Sequence, residues 1–151
     1  MKSIIFVCLG NICRSPIAEG CAKKLAQENR LNIKIESAGT GSWHIGEAPC
    51  DNSIKVCKSH DINIADYKGS QFTKADSNSY DLVVALDDSN YNDLKALGVP
   101  NLVKLGDYGY DSQDVPDPYY FDGFKGFEKV YEMIDTCVGN LFHELKNHLK
   151  N

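Results

Sequence analysis

The chain predicts an α/β fold, a three-layer α/β/α arrangement with a parallel sheet and helices on both faces. Short β-favouring runs alternate with stretches of helical period along the whole length. Two of the runs, Ile4-Ile5-Phe6-Val7 and Asp81-Leu82-Val83-Val84-Ala85-Leu86, are apolar enough for strands buried on both faces, as in parallel sheets. No internal repeat, low-complexity tract or linker divides the chain, so residues 1–151 read as one domain.

Taken in order, the first strand runs into Val7-Cys8-Leu9-Gly10-Asn11-Ile12-Cys13-Arg14-Ser15-Pro16. Gly10 and Asn11 tolerate positive φ, so the chain can curl until its N–H groups converge as an anion nest. Ser15 suits a helix N-cap and Pro16 the first helical position, which predicts a helix from Pro16 to about Asn29. Ile17, Cys21, Ala22 and Leu25 give it an apolar face. Ile33-Lys34-Ile35-Glu36 alternates like a strand, and a loop through Gly41, Gly46 and Pro49 follows. A helix is expected over 51–59, with Ile54 and Cys57 inward. After the strand at 81–86, a helix over 89–97 stops at Gly98-Val99-Pro100, and Leu102-Val103-Lys104-Leu105 is a fourth strand. The irregular, acidic stretch 107–123 reads as a functional loop. Phe127, Val130, Tyr131, Ile134, Val138, Leu141, Leu145 and Leu149 then stripe a long terminal helix that packs on the sheet.

Composition narrows the possibilities. With 151 residues and 42% hydrophobic content, the chain can bury a full core. It has no apolar run of the roughly 18 residues a membrane span needs. Its first apolar run is broken by Gly10, Asn11 and Arg14, which does not fit a signal peptide. Six cysteines in a chain of this size read as thiols of a reduced, cytoplasmic protein, and Cys50 and Cys57, two helical turns apart, are not expected to pair. A net charge of −5 argues against nucleic acid and membrane partners. An anionic ligand must therefore be held by local dipoles and Arg14.

The loop supplies that chemistry. Cys8 and Arg14 stand six positions apart, and Arg14 is one of only two arginines, with Arg30. A guanidinium fork grips two anion oxygens. A thiol facing it and a helix N-terminus should fall from about 8.5 to roughly 3.5–7.5 in pKa, giving a nucleophile aimed at bound phosphorus. Ser15 can hydrogen-bond that sulfur. The bare spacing also suits a core cysteine beside a surface arginine. The Gly-Asn inside it and the Ser-Pro after it make the functional reading specific.

Cys8 to Ser15, with Pro16-Ile17-Ala18-Glu19, resembles the phosphate-binding loop of the low-molecular-weight protein tyrosine phosphatases. Asp117-Pro118-Tyr119-Tyr120 resembles that family's general-acid loop, and Ser37-Ala38-Gly39-Thr40 and Leu86-Asp87-Asp88-Ser89-Asn90 resemble further segments in the expected order. The resemblance covers essentially the whole chain. It implies a four-stranded sheet of order 2-1-3-4, with the phosphate-binding loop between strand 1 and helix 1. It also implies hydrolysis of phosphotyrosine or aryl phosphate monoesters through a cysteinyl-phosphate on Cys8, with Arg14, Ser15 and the acid Asp117 as catalytic residues. Read from the residues alone, Asp117 between Pro116 and Pro118 is either that acid or one more member of an acidic turn with Asp107, Asp111, Asp114 and Asp122.

By the same resemblance, Leu9, Gly10, Asn11, Ile12 and Cys13 bind the phosphate, and Trp43, Tyr119 and Tyr120 wall the cleft. Such walls favour aryl over alkyl phosphates. Asn11, Ser37, His60 and Asp87 are expected to support the loop, the first three through a polar network and Asp87 as an acidic residue near the site. Cys13 is expected to form a reversible disulfide with Cys8. No cofactor or metal is expected: His44 and His60 are isolated, His143 and His148 lie five apart, and no Cys-x2-Cys exists. The expected partners are phosphotyrosine proteins or small aryl phosphates, with inorganic phosphate as product; a monomer or weak self-association through the aromatic rim is expected. Ser70 departs from the family pattern, which has arginine before Gln71 in many members, and any salt bridge of that arginine is absent or replaced.

Three rival readings fit the residues less well. A thiol-dependent arsenate reductase needs relay cysteines, but none lies between Cys57 and Cys137. A phosphoarginine phosphatase would carry threonine in place of Ile12, and Tyr120 would be unexpected there. A phosphate-sensing module would not need both Cys8 and Asp117.

Overall fold

The computed structural model describes residues 2–116, 118 and 124–149. Four strands, β1 (Ser3–Cys8), β2 (Lys34–Gly39), β3 (Leu82–Ala85) and β4 (Leu102–Lys104), form one sheet in the order β2-β1-β3-β4, every pair parallel. Between and after them lie α1 (Arg14–Glu28), α2 (Asp51–Lys58), α3 (Asp88–Ala96) and α4 (Lys125–Leu149). The expected fold class and strand order are both found.

Alternation along β1 divides the core in two. Ile4, Phe6 and Cys8 face a cluster that includes Ile17 and Cys21 of α1, Val56 of α2, and Ile134, Val138 and Leu141 of α4. Ile5 and Val7 face the opposite cluster, with Val83, Ala85, Leu94 of α3 and Val99. Because helices cover both faces, Ile4, Phe6, Val7, Val83 and Val84 are fully buried, which is why these strands read as continuous apolar runs. Each such large side chain contributes on the order of 1.5–3 kcal/mol.

Along α4 the expected stripe is buried from Phe127 to Leu141, while Leu149 falls outside the described side chains. Met133, Cys137 and Phe142 join it, because α4 packs against both α1 and α2 and needs a wider apolar face than one partner would require. None of the described helices is long and apolar enough to cross a membrane.

Parallel strands bring all their carboxyl ends to one edge. The chain leaves β1 for β2 on one side and returns to β3 on the other. The crevice of such a sheet opens where connections diverge in this way, and Cys8 is the last residue of β1 at that point.

Candidate active site

The loop from Cys8 to Arg14 is shaped by what its carbonyl groups bind. The carbonyls of Cys8 and Leu9 accept the N–H groups of Thr40 and Gly41 at 2.9 and 2.8 Å. Those of Ile12 and Cys13 accept the Cys50 N–H at 2.6 Å and the Ser53 hydroxyl at 3.0 Å. In a trans peptide the following N–H points the opposite way. With these four carbonyls turned outward, the N–H groups of Leu9, Gly10, Cys13 and Arg14 face the ring interior. That ring meets the N-terminus of α1, so amides and helix dipole together suit an anion.

Close approach of β2 requires Gly39: a Cβ there would lie 2.6 Å from the Leu9 carbonyl oxygen. The curl itself rests on Asn11, whose φ is +59°. Gly10, also expected to tolerate positive φ, is not among the residues that adopt it; a Cβ on Gly10 would instead meet the His44 ring at 3.0 Å.

Asn11 is fixed by its neighbours. The Ser70 N–H donates to its Oδ1 at 2.9 Å, which orients the amide so that Nδ2 donates to Ser15 Oγ at 2.7 Å and Ser37 Oγ at 2.9 Å. Ser37 in turn donates to Glu19 at 2.5 Å, and Glu19 pairs with Lys23. Ser15 Oγ, which accepts from Asn11, lies 3.0 Å from Cys8 Sγ and 3.4 Å from the Ala38 carbonyl oxygen. The Asn11 N–H donates to the same sulfur at 3.2 Å. A negative charge on that sulfur is stabilised by the Asn11 N–H and by the Ser15 hydroxyl when its proton turns that way.

Arg14 is buried. Its Nη1 donates to Asp87 Oδ2 at 2.7 Å and to the Val115 carbonyl at 2.9 Å. Val115 is itself tied to the end of β3 by its N–H to the Leu86 carbonyl. Asp87, expected from the resemblance to be an acidic residue that supports the loop, is the ion-pair partner of Arg14.

A cleft of about 180 Å³ opens over the sulfur, with Cys8–Gly10 and Ile12–Arg14 on one side and Trp43 and His44 on the other. Trp43 is 68% exposed, so it forms a rim and not a piece of the core. A larger cavity between the end of α1 and α4, lined by Leu25, Phe142 and His143, lies away from this chemistry. Asp117, Tyr119 and Tyr120 lie outside the described residues.

Several expectations need correction. His60 does not support the loop; it is exposed and stacks on Tyr131, with ring centroids 4.0 Å apart. Its expected place in the network is taken by the Ser70 backbone and by Glu19. Cys13 is not paired with Cys8. It is bonded to Cys50, and Cys8 is free. The reason is tertiary: hydrogen bonds from Cys50 and Ser53 dock the start of α2 on the loop and bring the two cysteines to a Cα separation of 5.3 Å. Helix α1 also starts at Arg14, two residues before the expected position, and no side chain caps it, because the Ser15 hydroxyl serves Cys8 and Asn11.

A second cluster lies beside the site. Lys104, buried at the end of β4, donates to Asp88, pairs with Asp114 at 2.6 Å and reaches the Ser112 carbonyl. Burial opposes its charge, but the bonds from Asp114 and Asp88 outweigh that and raise its pKa above the ordinary lysine value. Burial likewise opposes the Asp114 charge, yet Lys104 and the Asp88 N–H hold its carboxyl below the ordinary aspartate range. The sequence reading assigned this cluster no part. A buried lysine among aspartates carries no periodic signal.

Comparison with known proteins agrees with this geometry. The family model for low molecular weight phosphotyrosine protein phosphatases matches residues 3–151. The chain is 40% identical over 147 residues to the low molecular weight protein-tyrosine-phosphatase PtpA of Staphylococcus aureus, covering 93% of this chain and 92% of that protein. Among solved structures, YfkJ from Bacillus subtilis is similar at a TM-score of 0.90 and 34% identity, over 99% of this chain and 98% of that one. A protein tyrosine phosphatase from Entamoeba histolytica, also with a TM-score of 0.90 and 34% identity, covers 98% of this chain and 99% of its own. An open ring of amides around a free cysteine, within the residues the family model matches, has the same explanation as these likenesses: the chain belongs to the low molecular weight phosphotyrosine protein phosphatase family.

Proposed function

We propose that the protein hydrolyses phosphotyrosine and related aryl phosphate monoesters through a phosphorylated Cys8. The observation that carries this reading is the free Cys8 sulfur, bonded by Ser15 and Asn11, at the floor of a ring of inward amides beside Arg14. The sulfur attacks phosphorus while the bond to the aryl oxygen breaks. Asp117 gives its proton to the leaving phenoxide. In the second step Asp117 takes a proton from a water that attacks the phosphocysteine, and the sulfur leaves as an anion stabilised by Ser15 and the Asn11 N–H. The amides and Arg14 hold the charge on the three equatorial oxygens throughout. Trp43 supports an aryl preference, because a ring can lie against it while its phosphate reaches the recessed sulfur.

Rapid quench with phosphorus-labelled p-nitrophenyl phosphate tests this. A burst of nitrophenol and label on Cys8 are expected, and Cys8→Ser should remove both and lower turnover by more than about a thousandfold. Hydrolysis that survives in Cys8→Ser would overturn the reading. Asp117→Ala should slow poor leaving groups more than good ones; an equal loss removes Asp117 from the acid's role. Phosphoarginine and arsenate, assayed in parallel, separate the rival enzymes.

A further inference from the structure

The six cysteines fall into distinct environments. Cys21, Cys57 and Cys137 are free thiols in the core. Burial pushes Cys57 up to about 12 and Cys137 up to about 11, and burial with the nearby Asp135 charge raises Cys21 well above its ordinary value. As protonated thiols they are poor exchange partners. Cys8 is free in the site. The remaining two, Cys13 and Cys50, are bonded to each other across 37 positions of sequence.

Their placement is specific. Cys13 is the N-cap residue of α1 and Cys50 the N-cap residue of α2, so two helix starts meet at one sulfur–sulfur bond. A helix start makes a cysteine a competent partner in thiol–disulfide exchange. The hydrogen bonds from the Cys50 N–H to Ile12 and from Ser53 to Cys13 do not involve sulfur, so they hold the pair in register after reduction. Cys13 borders the open cleft, where a small thiol or disulfide can reach it. The Thr40–Pro49 segment, which carries Trp43 and His44, is tied to the loop by the Thr40 and Gly41 N–H groups at its start and by the Cys50 bond at its end.

We propose that Cys13 and Cys50 form a reversible thiol–disulfide site in which Cys50 competes with Cys8 for Cys13, so that oxidation by a small-molecule disulfide leaves the nucleophile free and the enzyme active. One protein thiolate attacks the small disulfide, forming a mixed disulfide and releasing one small thiol. The second protein thiolate then attacks the protein sulfur of that mixed disulfide, closes Cys13–Cys50 and releases the second small thiol. Two electrons and two protons pass from the pair to the small disulfide, and Cys8 takes no part.

The activity arm of the test rests on the phosphatase reading; the mapping arm does not. Wild type and Cys50→Ser are equilibrated in buffers of reduced and oxidised glutathione, quenched, alkylated and mapped by mass spectrometry, with p-nitrophenyl phosphate turnover followed in parallel. Wild type should yield a Cys13–Cys50 peptide with Cys8 alkylated, and should keep more than about half of its reduced turnover. Cys50→Ser should match wild type within about twofold in dithiothreitol, then lose more than about tenfold in oxidised buffer as Cys13 pairs with Cys8, reversibly. A Cys8–Cys13 peptide in wild type overturns the proposal, as does a Cys50→Ser variant that stays active in oxidised buffer. Should Cys50→Ser not fold in dithiothreitol, Cys50→Ala and the wild-type map decide. Absence of turnover in reduced wild type sinks the phosphatase reading and leaves the map to judge the pairing.

Discussion

Helices α1 and α3 start at the same edge of the sheet, after the neighbouring strands β1 and β3, and they start in opposite ways. Helix α3 is closed: Asp87 is its N-cap, in extended conformation, and Oδ1 accepts the Asn90 N–H at 2.8 Å. Helix α1 has no side-chain cap, and its first turn opens into the ring of amides. The closed start also lends its second oxygen, Oδ2, to Arg14 in the open one. Stability is forgone at one helix start, where an anion is to bind, and the adjacent start helps to hold it in shape.

The largest effect should come from removing the residue that serves both starts. Asp87→Ala deletes a cap worth about 1 kcal/mol and one carboxylate bond of the buried Arg14 guanidinium, so urea unfolding should show a loss of about 2–3 kcal/mol. Its kcat/KM should fall by about 10- to 100-fold. Asp87→Asn sharpens the comparison, since asparagine caps as well as aspartate: it should recover about 1 kcal/mol of stability while activity stays low. Equal unfolding midpoints for the two variants would refute the capping role.

Ser15→Ala tests the open start. It should lower kcat by about tenfold through the lost bond to sulfur and cost about 1 kcal/mol of stability. A change in KM alone would show that Ser15 does not act on Cys8.

Lys104→Met should have the smallest effect, about 1 kcal/mol, because its carboxylate partners are largely exposed and screened. Its pH dependence is distinctive. The Asp114 contribution is present above the ordinary aspartate value of 3.8 and is lost as the pH falls through the lower folded value. The Lys104 contribution is present below the ordinary lysine value of 10.5 and is lost as the pH rises through the higher folded value. The stability gap between wild type and variant should therefore be widest near neutrality and close toward both extremes. A gap independent of pH would exclude the ion pairs as its source.

What the sequence made legible follows the range of the interactions. Strand alternation, the α4 stripe and the tolerance of Asn11 for positive φ are local properties, and each is found. Ser15-Pro16 reads as a cap by local rules, but the serine oxygen is taken by a sulfur seven residues back and by Asn11, so the helix starts earlier and uncapped. Asn11 finds its third partner in the backbone N–H of Ser70, which almost any residue type supplies and no motif advertises. His60 was misplaced for the same reason: the network was completed by a backbone group, and the ring was left to stack on Tyr131. The pairing of Cys13 with Cys50 depends on how α2 docks, which no spacing rule reaches.

One guanidinium nitrogen spans the two halves of the proposed reaction. Arg14 Nη1 grips the carbonyl of Val115, two positions before the proposed proton donor. Because the Val115 N–H is also tied to the Leu86 carbonyl, this one side chain joins the amide ring, the end of β3 and the chain through Pro116.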